Sequence, residues 1–270
     1  MTDHPYREFE RCGWERAAAA YAGSFEAVSG LFATPLMDAA QIHRGSTLLD
    51  VACGPGSVTS LAAARGAAAV GLDFSPSMIA EARRRHPSLS FQEGDAEALP
   101  FTDQSFDAVI INFGIHHFPF PVRALGEARR VLRPGGRVAF TTWAPPEHHV
   151  IHTIVVGAVR ESGNPGAELP RPPGGAVNEA ATCMKLLGEA GFGPDSLHTE
   201  LLKSSLGIRS AVDLVDLLEV GTVVLSATLR SQPREHRQAI LASIEKAISG
   251  YRVDDGFRIP CAAILAVAIK

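Results

Sequence analysis

Short apolar runs alternate with amphipathic segments between residues 46 and 143 of this 270-residue chain. The runs are almost continuously hydrophobic, which is typical of parallel strands buried on both faces of a sheet. The pattern predicts five strands, at residues 46–52, 67–74, 89–95, 106–114 and 137–143. Because the segments between them have helical periodicity, we expect an α/β fold in which helices cover both faces of a parallel sheet.

Helix-end signals separate the predicted strands. Ser75 followed by Pro76 is a typical N-cap and first helical residue, and Pro87 ends the helix that they begin. The preceding helix is predicted to end at Gly66, and the helix before the fifth strand in the turn 134–136. The flanking parts of the chain are mostly helical by pattern, with a single apolar helical segment at 210–229 and two more strands at 196–206 and 261–270.

Polar residues end four successive strands of the predicted sheet. They are Asp50, Asp73, Asp95 and Asn112. The carboxyl ends of parallel strands meet at one edge of a sheet, where open α/β sheets bind their ligands. We therefore expect these four side chains to surround one pocket.

The loop after the first strand contains Gly54 and Gly56, which leave room for a ligand close to the backbone. It lacks the third glycine of the G-x-G-x-x-G dinucleotide fingerprint, because Thr59 occupies that position. The carboxylate of Asp50 also repels a pyrophosphate but attracts an ammonium group. A nicotinamide-dependent oxidoreductase is therefore the less favoured interpretation.

The other two carboxylates suit the remaining parts of one ligand. Asp73, at the end of the next strand, is placed to accept hydrogen bonds from the two hydroxyls of a ribose. Asp95 is placed to accept a hydrogen bond from an adenine amino group. An ammonium group, a ribose and an adenine without a phosphate together describe S-adenosylmethionine.

Five segments of the chain carry a resemblance to a known family. They are LLDVACGPG, GLDFSPSMIAEAR, EGDAEALPF, FDAVIINFGIHHF and EARRVLRPGGRVAF, in that order. Together they resemble class I S-adenosylmethionine-dependent methyltransferases, in particular the ubiquinone/menaquinone-type C-methyltransferases and related small-molecule methyltransferases. The resemblance implies a Rossmann-like sheet of seven mostly parallel strands, with the last strand inserted antiparallel. It also implies S-adenosylmethionine as the cofactor and a small molecule as the methyl acceptor.

The resemblance is close over the middle third of the chain and suggests how the rest is organised. We expect a helical N-terminal cap at 1–45, a methyltransferase core at 46–205 and 256–270, and a helical lid or acceptor-binding insertion at 206–255. The apolar character of the insertion favours an apolar or aromatic acceptor, methylated on oxygen, carbon or nitrogen.

The family's motifs imply a role for each matching residue. The residues implied for the methionine end and the sulfonium are Tyr21, Asp50, Ala52, Cys53, Gly54, Gly56, Asn112 and Phe113. The residues implied for the ribose and the adenine are Asp73, Phe74, Met78, Asp95 and Ala96. Ala52 departs from the family, which usually has glycine there, and its methyl group could crowd the cofactor slightly.

Two histidines follow the fourth strand, near the expected position of the transferred methyl group. Methyl transfer needs a base only when the acceptor is a weakly acidic hydroxyl or carbon acid, and histidine has a suitable pKa range. His116 and His117 are therefore the candidate catalytic residues, with His116 slightly favoured. The alternative is that one of them packs or binds the cofactor, and His117 also counts among the cofactor-binding candidates.

A second histidine cluster comprises His148, His149 and His152. No carboxylate or thiol pattern accompanies these histidines, so the sequence predicts no metal site. We expect them to line the acceptor pocket or to be solvated.

Composition and charge limit the partners of the protein. A net charge of −4 and the absence of a basic stripe argue against nucleic acid as a partner. The chain has no apolar run of about 18 residues and no secretory signal at its start, and its four cysteines are far apart. We therefore expect a cytoplasmic protein without a membrane span or disulfides. The pattern leaves open monomer or homo-oligomer, and also a non-catalytic protein that binds adenosylmethionine or adenosylhomocysteine.

Overall fold

The computed structural model describes residues 4–164 and 169–270, which form one mixed sheet flanked by helices. The strands are β1 (Thr47–Val51), β2 (Ala68–Asp73), β3 (Ser90–Glu93), β4 (Phe106–Asn112), β5 (Leu132–Trp143), β6 (His198–Ile208), β7 (Arg252–Val253) and β8 (Gly256–Ile269). Their order is β3-β2-β1-β4-β5-β8-β6, with β7 paired to β8. The strands β1 to β5 run parallel, and β8 lies antiparallel between β5 and β6. The expected Rossmann-like sheet is confirmed, with β7 as a short addition.

Eleven α-helices surround this sheet in the described residues. They are α1 (Pro5–Ala22), α2 (Glu26–Gly30), α3 (Ala33–Ala39), α4 (Ser57–Ala64), α5 (Pro76–Arg85), α6 (Pro121–Val131), α7 (Val150–Ser162), α8 (Ala180–Glu189), α9 (Ala211–Gly221), α10 (Val224–Arg230) and α11 (Arg237–Ile248). The Ser75 hydroxyl accepts a hydrogen bond from the Met78 amide at 3.3 Å, so the predicted N-cap of α5 is confirmed.

Two predicted helix boundaries are wrong. The segment 210–229 is divided into α9 and α10 because Thr222 is extended, with φ −136° and ψ 158°. The Thr222 hydroxyl also accepts a hydrogen bond from the Ser226 amide and so helps to start α10. The helix expected to end in the turn 134–136 ends at Val131, since the backbone before Pro134 is extended and joins β5.

Alternate residues of the central strands face two layers of helices. Leu49 and Val109 pack with α6 and α8 on one face of the sheet. Leu48 and Ile110 pack with α3 and α4 on the other face. The central strands are thus buried on both faces, which explains their nearly continuous hydrophobic sequence.

The N-terminal and C-terminal helices pack directly against each other. A Cβ atom on Gly13 of α1 would lie 2.5 Å from Val223 Cγ1, and one on Gly221 of α9 would lie 2.1 Å from Phe25 Cβ. Glycine therefore permits the close approach of these helices. The division of the chain into a cap at 1–45 and a lid at 206–255 stays a prediction.

No helix within residues 4–164 and 169–270 combines the length and the apolar character needed to cross a bilayer. Over the same residues, no group of three or more His, Cys, Asp or Glu side chains is placed to hold a metal ion. The four cysteines are free thiols.

We predict that Gly71→Ala destabilises the fold. Gly71 lies in β2, and a Cβ atom there would meet Phe91 Cδ1 at 2.6 Å and Cys53 Sγ at 2.9 Å. Overpacking of this kind costs about 1–3 kcal/mol, so the melting temperature should fall by several degrees. Gly207→Ala in β6 is the matched control, since a Cβ atom there would have no neighbour within 4 Å. Equal losses for both variants in thermal denaturation contradict the packing argument.

Candidate active site

A cavity of about 730 Å³ opens between α1 and the carboxyl ends of β1, β2 and β4. The predicted site residues that line it are Tyr21, Ala52, Gly54, Asp73, Phe74, Met78, Asp95, Ala96, Asn112, Phe113 and His117. Asp50 and Cys53 line a smaller cavity of about 430 Å³, which shares Tyr21, Ala52, Gly54 and Asn112 with the first. The structure thus brings together all the predicted site residues except Gly56 and His116.

The backbone at Gly54 forms an open part of the cavity floor. Gly54 has φ +53°, and a Cβ atom there would meet only Met78 Sδ and Tyr21 Cε1, each at 4.0 Å. A side chain at this position would therefore extend into the cavity itself. Glycine avoids the strain of this left-handed backbone and leaves the cavity floor free of a side chain.

Gly56 allows a close packing contact that the sequence did not indicate. It precedes α4 with φ +86°, and a Cβ atom there would lie 2.6 Å from Phe91 Cζ. Gly56 lines neither cavity. Its small size allows the loop to pack on β3, and no ligand contact is needed to explain it.

Two strained residues lie side by side at the cavity. Ala52 follows β1 with φ +56°, and Phe113 follows β4 with φ +55°. Left-handed backbone costs a residue with a side chain roughly 1–2 kcal/mol. Such strain concentrates at functional sites, where the surrounding structure holds it in place. Ala52 is the position where glycine was expected, so alanine here adds strain and not merely bulk.

Asp73 is held by the loops on both sides of it. Its Oδ2 accepts a hydrogen bond from the Gly54 amide and its Oδ1 one from the Ser75 amide, both at 2.9 Å. Burial raises the pKa of Asp73 to about 6, and these backbone donors oppose the increase. Each oxygen keeps a lone pair for a further donor such as a hydroxyl.

Asp50 is the other buried carboxylate of the site. Thr59 donates a hydrogen bond to its Oδ2 at 2.7 Å, so Thr59, where the dinucleotide fingerprint has glycine, holds the carboxylate in place. The Oδ1 atom is buried and has no partner among the described residues. Burial raises the pKa of Asp50 to about 7, and the charge of Asp73 raises it further. An unpartnered acceptor of this kind suits a ligand that brings its own donors and positive charge.

The N-terminal helix closes the cavity on the side of Asp95. Arg7 Nη1 lies 2.5 Å from Asp95 Oδ2, and Arg7 Nη2 lies 2.7 Å from Oε2 of the buried Glu97. No motif marks Arg7, and Glu97 has no role implied by the sequence although it lies in the segment EGDAEALPF. Only the packing of α1 across the sheet edge brings this guanidinium to two carboxylates.

Tyr21 and Asn112 line both cavities, and both are hydrogen-bonded to Ser29. The Tyr21 hydroxyl is 2.9 Å from Ser29 Oγ, and burial raises the pKa of Tyr21 to about 12. The Asn112 amide donates to the Ser29 carbonyl at 3.3 Å, and its oxygen accepts from Thr141 at 2.8 Å. Ser29 of α2 therefore links the helical segment to the end of β4.

The two candidate histidines have different surroundings. His117 lines the main cavity, with 19% of its side chain exposed. His116 lies outside the lining, and its Nδ1 is 3.4 Å from Thr142 Oγ1. Burial holds the pKa of His116 well below its ordinary value, and the charges of His117 and His149 lower it further. The geometry favours His117, although the sequence slightly favoured His116.

The second histidine cluster lies away from the cavity lining. The ring of His149 stacks on Trp143, with 4.4 Å between ring centroids, and burial lowers the pKa of His149 to about 4. Burial also lowers the pKa of His152. Trp143 in turn packs against Phe113 with 4.0 Å between ring centroids, so His149 and Trp143 support the strained end of β4.

Comparison with known proteins identifies the central part of the chain. Residues 49–140 match the sequence profile of the methyltransferase domain family. A demethylmenaquinone methyltransferase of Beutenbergia cavernae is 46% identical over 116 residues, which cover 41% of this chain and 48% of the relative. Residues 49–140 therefore carry a domain of the class I S-adenosylmethionine-dependent methyltransferase type.

Two further matches extend the comparison. A demethylmenaquinone methyltransferase of Renibacterium salmoninarum is 38% identical over 141 residues, which cover 49% of this chain and 60% of the relative. A crystal structure of a candidate methyltransferase from Bacillus halodurans matches with a TM-score of 0.56 and 26% identity, covering 88% of this chain and 98% of that one. The chain spans about half to three fifths of the length of these curated relatives.

The residues of this methyltransferase domain fit S-adenosylmethionine. The buried, unpartnered Oδ1 of Asp50 suits the ammonium group, and the open backbone at Gly54 leaves room beside it. The spare lone pairs of Asp73 suit ribose hydroxyls. A nicotinamide dinucleotide would bring a pyrophosphate to this acidic loop, which disfavours that alternative.

We predict that Gly54→Ala weakens the binding of S-adenosylmethionine at least about tenfold, because the new methyl group enters the cavity. Gly45→Ala is the matched control, since Gly45 also has positive φ (+90°) but a Cβ atom there would have no neighbour within 4 Å. Both variants should lose about 1–2 kcal/mol of stability from backbone strain. Titration calorimetry that gives equal affinities for the two variants contradicts the assignment of Gly54 to the binding surface.

We predict opposite pH dependences for ligand affinity and for the stability of the free protein. The pKa of Asp50 is raised to about 7 in the folded chain. Between about pH 4 and about pH 7, Asp50 therefore holds a proton in the folded chain but is ionised in the unfolded chain. The free protein should therefore lose stability as pH rises from about 4 to about 7. Affinity for the cationic ligand should rise towards pH 7, because the carboxylate becomes charged.

The Asp50→Asn variant provides the control for this prediction. Asparagine keeps the shape of the side chain but does not titrate, so both pH dependences should become shallower. Calorimetry and thermal denaturation at several pH values measure the two slopes. A wild-type affinity that is constant from about pH 5 to about pH 7 removes the proposed role of this carboxylate.

Proposed function

We propose that this protein transfers a methyl group from S-adenosylmethionine to a small apolar or aromatic molecule. The observation that carries the proposal is the pairing of an unpartnered buried carboxylate oxygen on Asp50 with the open backbone at Gly54. The methyltransferase domain match and the demethylmenaquinone methyltransferase relatives support the same function.

Side chains of the cavity hold and orient the cofactor in this proposal. Asp50 and Asp73 bind its polar groups, while Phe74 and Met78 lie where the adenine would rest. When bound, S-adenosylmethionine supplies an electrophilic methyl group on a sulfonium. Holding an acceptor in line with that methyl group accounts for a large part of the rate, because the two reactants no longer have to meet and orient.

The cavity wall favours a neutral acceptor with apolar or aromatic character. Trp14, Phe113 and Phe118 line the main cavity. Among the described lining residues of both cavities, Arg7 is the one arginine or lysine, and it is already paired with Asp95 and Glu97. No free cation is therefore at hand to bind an acceptor phosphate, and a hydroquinone or phenol fits the lining better.

The first test measures ligand specificity. S-adenosylmethionine and S-adenosylhomocysteine should each raise the melting temperature, whereas NAD should leave it unchanged, because only the first two ligands lack a pyrophosphate. Stabilisation by NAD alone contradicts the proposal.

The second test measures turnover. Phenols, reduced naphthoquinones, glycosides and amines are incubated with methyl-labelled S-adenosylmethionine, and we expect label in the first two classes. Stabilisation by both adenosyl ligands without label in any class would favour the non-catalytic alternative. Mass spectrometry of the product identifies oxygen, carbon or nitrogen as the methylated atom.

A further inference from the structure

The N-terminal helix carries a fully buried glutamate. Glu10 lies in the middle of α1 with no exposed surface, and its Oε1 has no hydrogen-bond partner among the described residues. Its Oε2 accepts a hydrogen bond from Trp14 Nε1 at 3.1 Å. Burial of a carboxylate is costly unless charge and hydrogen bonds compensate it. Packing alone gives no reason for a glutamate at this position.

The partner of this glutamate is a histidine of the active site. Glu10 Oε2 lies 2.8 Å from Nδ1 of His117, and His117 is the one basic side chain in ion-pair contact with Glu10 among residues 4–164 and 169–270. The Nδ1 atom of His117 makes no hydrogen bond in this geometry. Such contacts often tighten only when the substrate binds.

The geometry points to a base assembled from two elements. We propose that Glu10 is a positioning residue that holds a proton on Nδ1 of His117, so that Nε2 is free to accept a proton from the methyl acceptor. The inference rests on the methyltransferase function proposed above. It gives α1, which already lines the cavity with Arg7, Trp14 and Tyr21, a further role through His117.

The surroundings of His117 support this role. Trp14 packs edge-on against its ring, with 5.1 Å between the centroids, and so limits the ring's rotation. His117 lines the cavity, and its charge lowers the pKa of Asp73, which places it beside the cofactor site.

Other titratable groups near Glu10 and His117 have other partners or lie outside the cavity lining. Tyr6 of α1 donates a hydrogen bond to the His116 carbonyl at 2.9 Å, and burial together with Glu10 holds its pKa above the ordinary value. The ring of His116 is 4.1 Å from that of His117 but lies outside the cavity lining. Arg7 is paired with Asp95 and Glu97. Within residues 4–164 and 169–270, Glu10 is therefore the carboxylate in direct contact with His117.

The proton and the electrons balance in this arrangement. Nε2 of His117 takes the proton of an acceptor O–H or activated C–H, and the electron pair of that bond becomes available to form the new bond to the methyl carbon. The carbon–sulfur bond breaks, and its electron pair stays on sulfur. The positive charge passes from the sulfonium to the imidazole, where the carboxylate of Glu10 stabilises it.

The main test compares Glu10→Gln with Glu15→Gln. Glu15 lies one turn and a half further along α1, where it pairs with Arg11 and does not line the cavity. Glu10→Gln should lower kcat about tenfold or more and move the acidic limb of the kcat–pH profile to lower pH by about one unit, while the affinity for S-adenosylmethionine stays within about twofold. Glu15→Gln should change none of these.

Two further variants separate positioning from structure. Glu10→Asp keeps the charge and should restore the wild-type pH limb in part. His117→Gln should lower kcat about a hundredfold, and adding Glu10→Gln to it should cost nothing more, because both residues act through one proton transfer. An additive loss in the double variant, or an unchanged pH profile in Glu10→Gln, overturns the proposal.

An NMR measurement does not depend on turnover and so separates this inference from the proposed function. The ¹⁵N shifts of the neutral His117 ring should show the proton on Nδ1 in the wild type and a mixture of tautomers in Glu10→Gln. A wild-type ring protonated on Nε2 contradicts the inference, even if methyl transfer is observed. The expected tautomer without methyl transfer to any acceptor leaves the pair intact but removes its proposed use.

Discussion

The carboxylate of Asp73 accepts hydrogen bonds from both the loop after β1 and the start of α5, and the shape of the cavity floor depends on these two bonds. One oxygen holds the Gly54 amide and the other holds the Ser75 amide. Gly54 is thereby fixed in the conformation that leaves the floor open, and α5 begins where Met78 can line the cavity. Because Asp73 is buried, loss of these donors would leave an unpaired charge, which costs more than the bonds contribute. The same burial strengthens the effect of the Asp73 charge, which raises the pKa of Asp50.

A helix that is distant in sequence completes this floor. The helix α1 supplies Arg7, Trp14 and Tyr21 to the cavity and Glu10 to His117. The pairing of Arg7 with the buried Glu97 fixes the position of α1, since removing one partner of such a pair is strongly destabilising. Access to the cavity and the contact between Glu10 and His117 therefore both depend on how α1 packs against the sheet edge.

Strained backbone and the contacts that stabilise it lie together at this edge of the sheet. Ala52 and Phe113 both have left-handed backbone, and each follows a central strand whose hydrogen bonds fix its end. Phe113 is braced by Trp143, which is itself stacked on His149. The aromatic cluster thus supplies rigidity that the strained turns lack, and it accounts for the burial of His149.

The sequence by itself determined the alternating strands and helices of residues 46–143 and the acidic side chains at the strand ends, because these features depend on local patterns and on a short glycine loop. The antiparallel last strand was expected only from the resemblance to a family, and the order of the strands came from the tertiary structure. It did not separate His116 from His117, since adjacent residues share one local pattern and only packing decides which of them faces the cavity. Thr222, which divides the predicted helix at 210–229, has no strong breaking signal of its own. Arg7 and Glu10 carry no motif, because their partners lie about ninety and about a hundred residues away. Only the tertiary structure brings these charges together, by packing α1 across the ends of the strands.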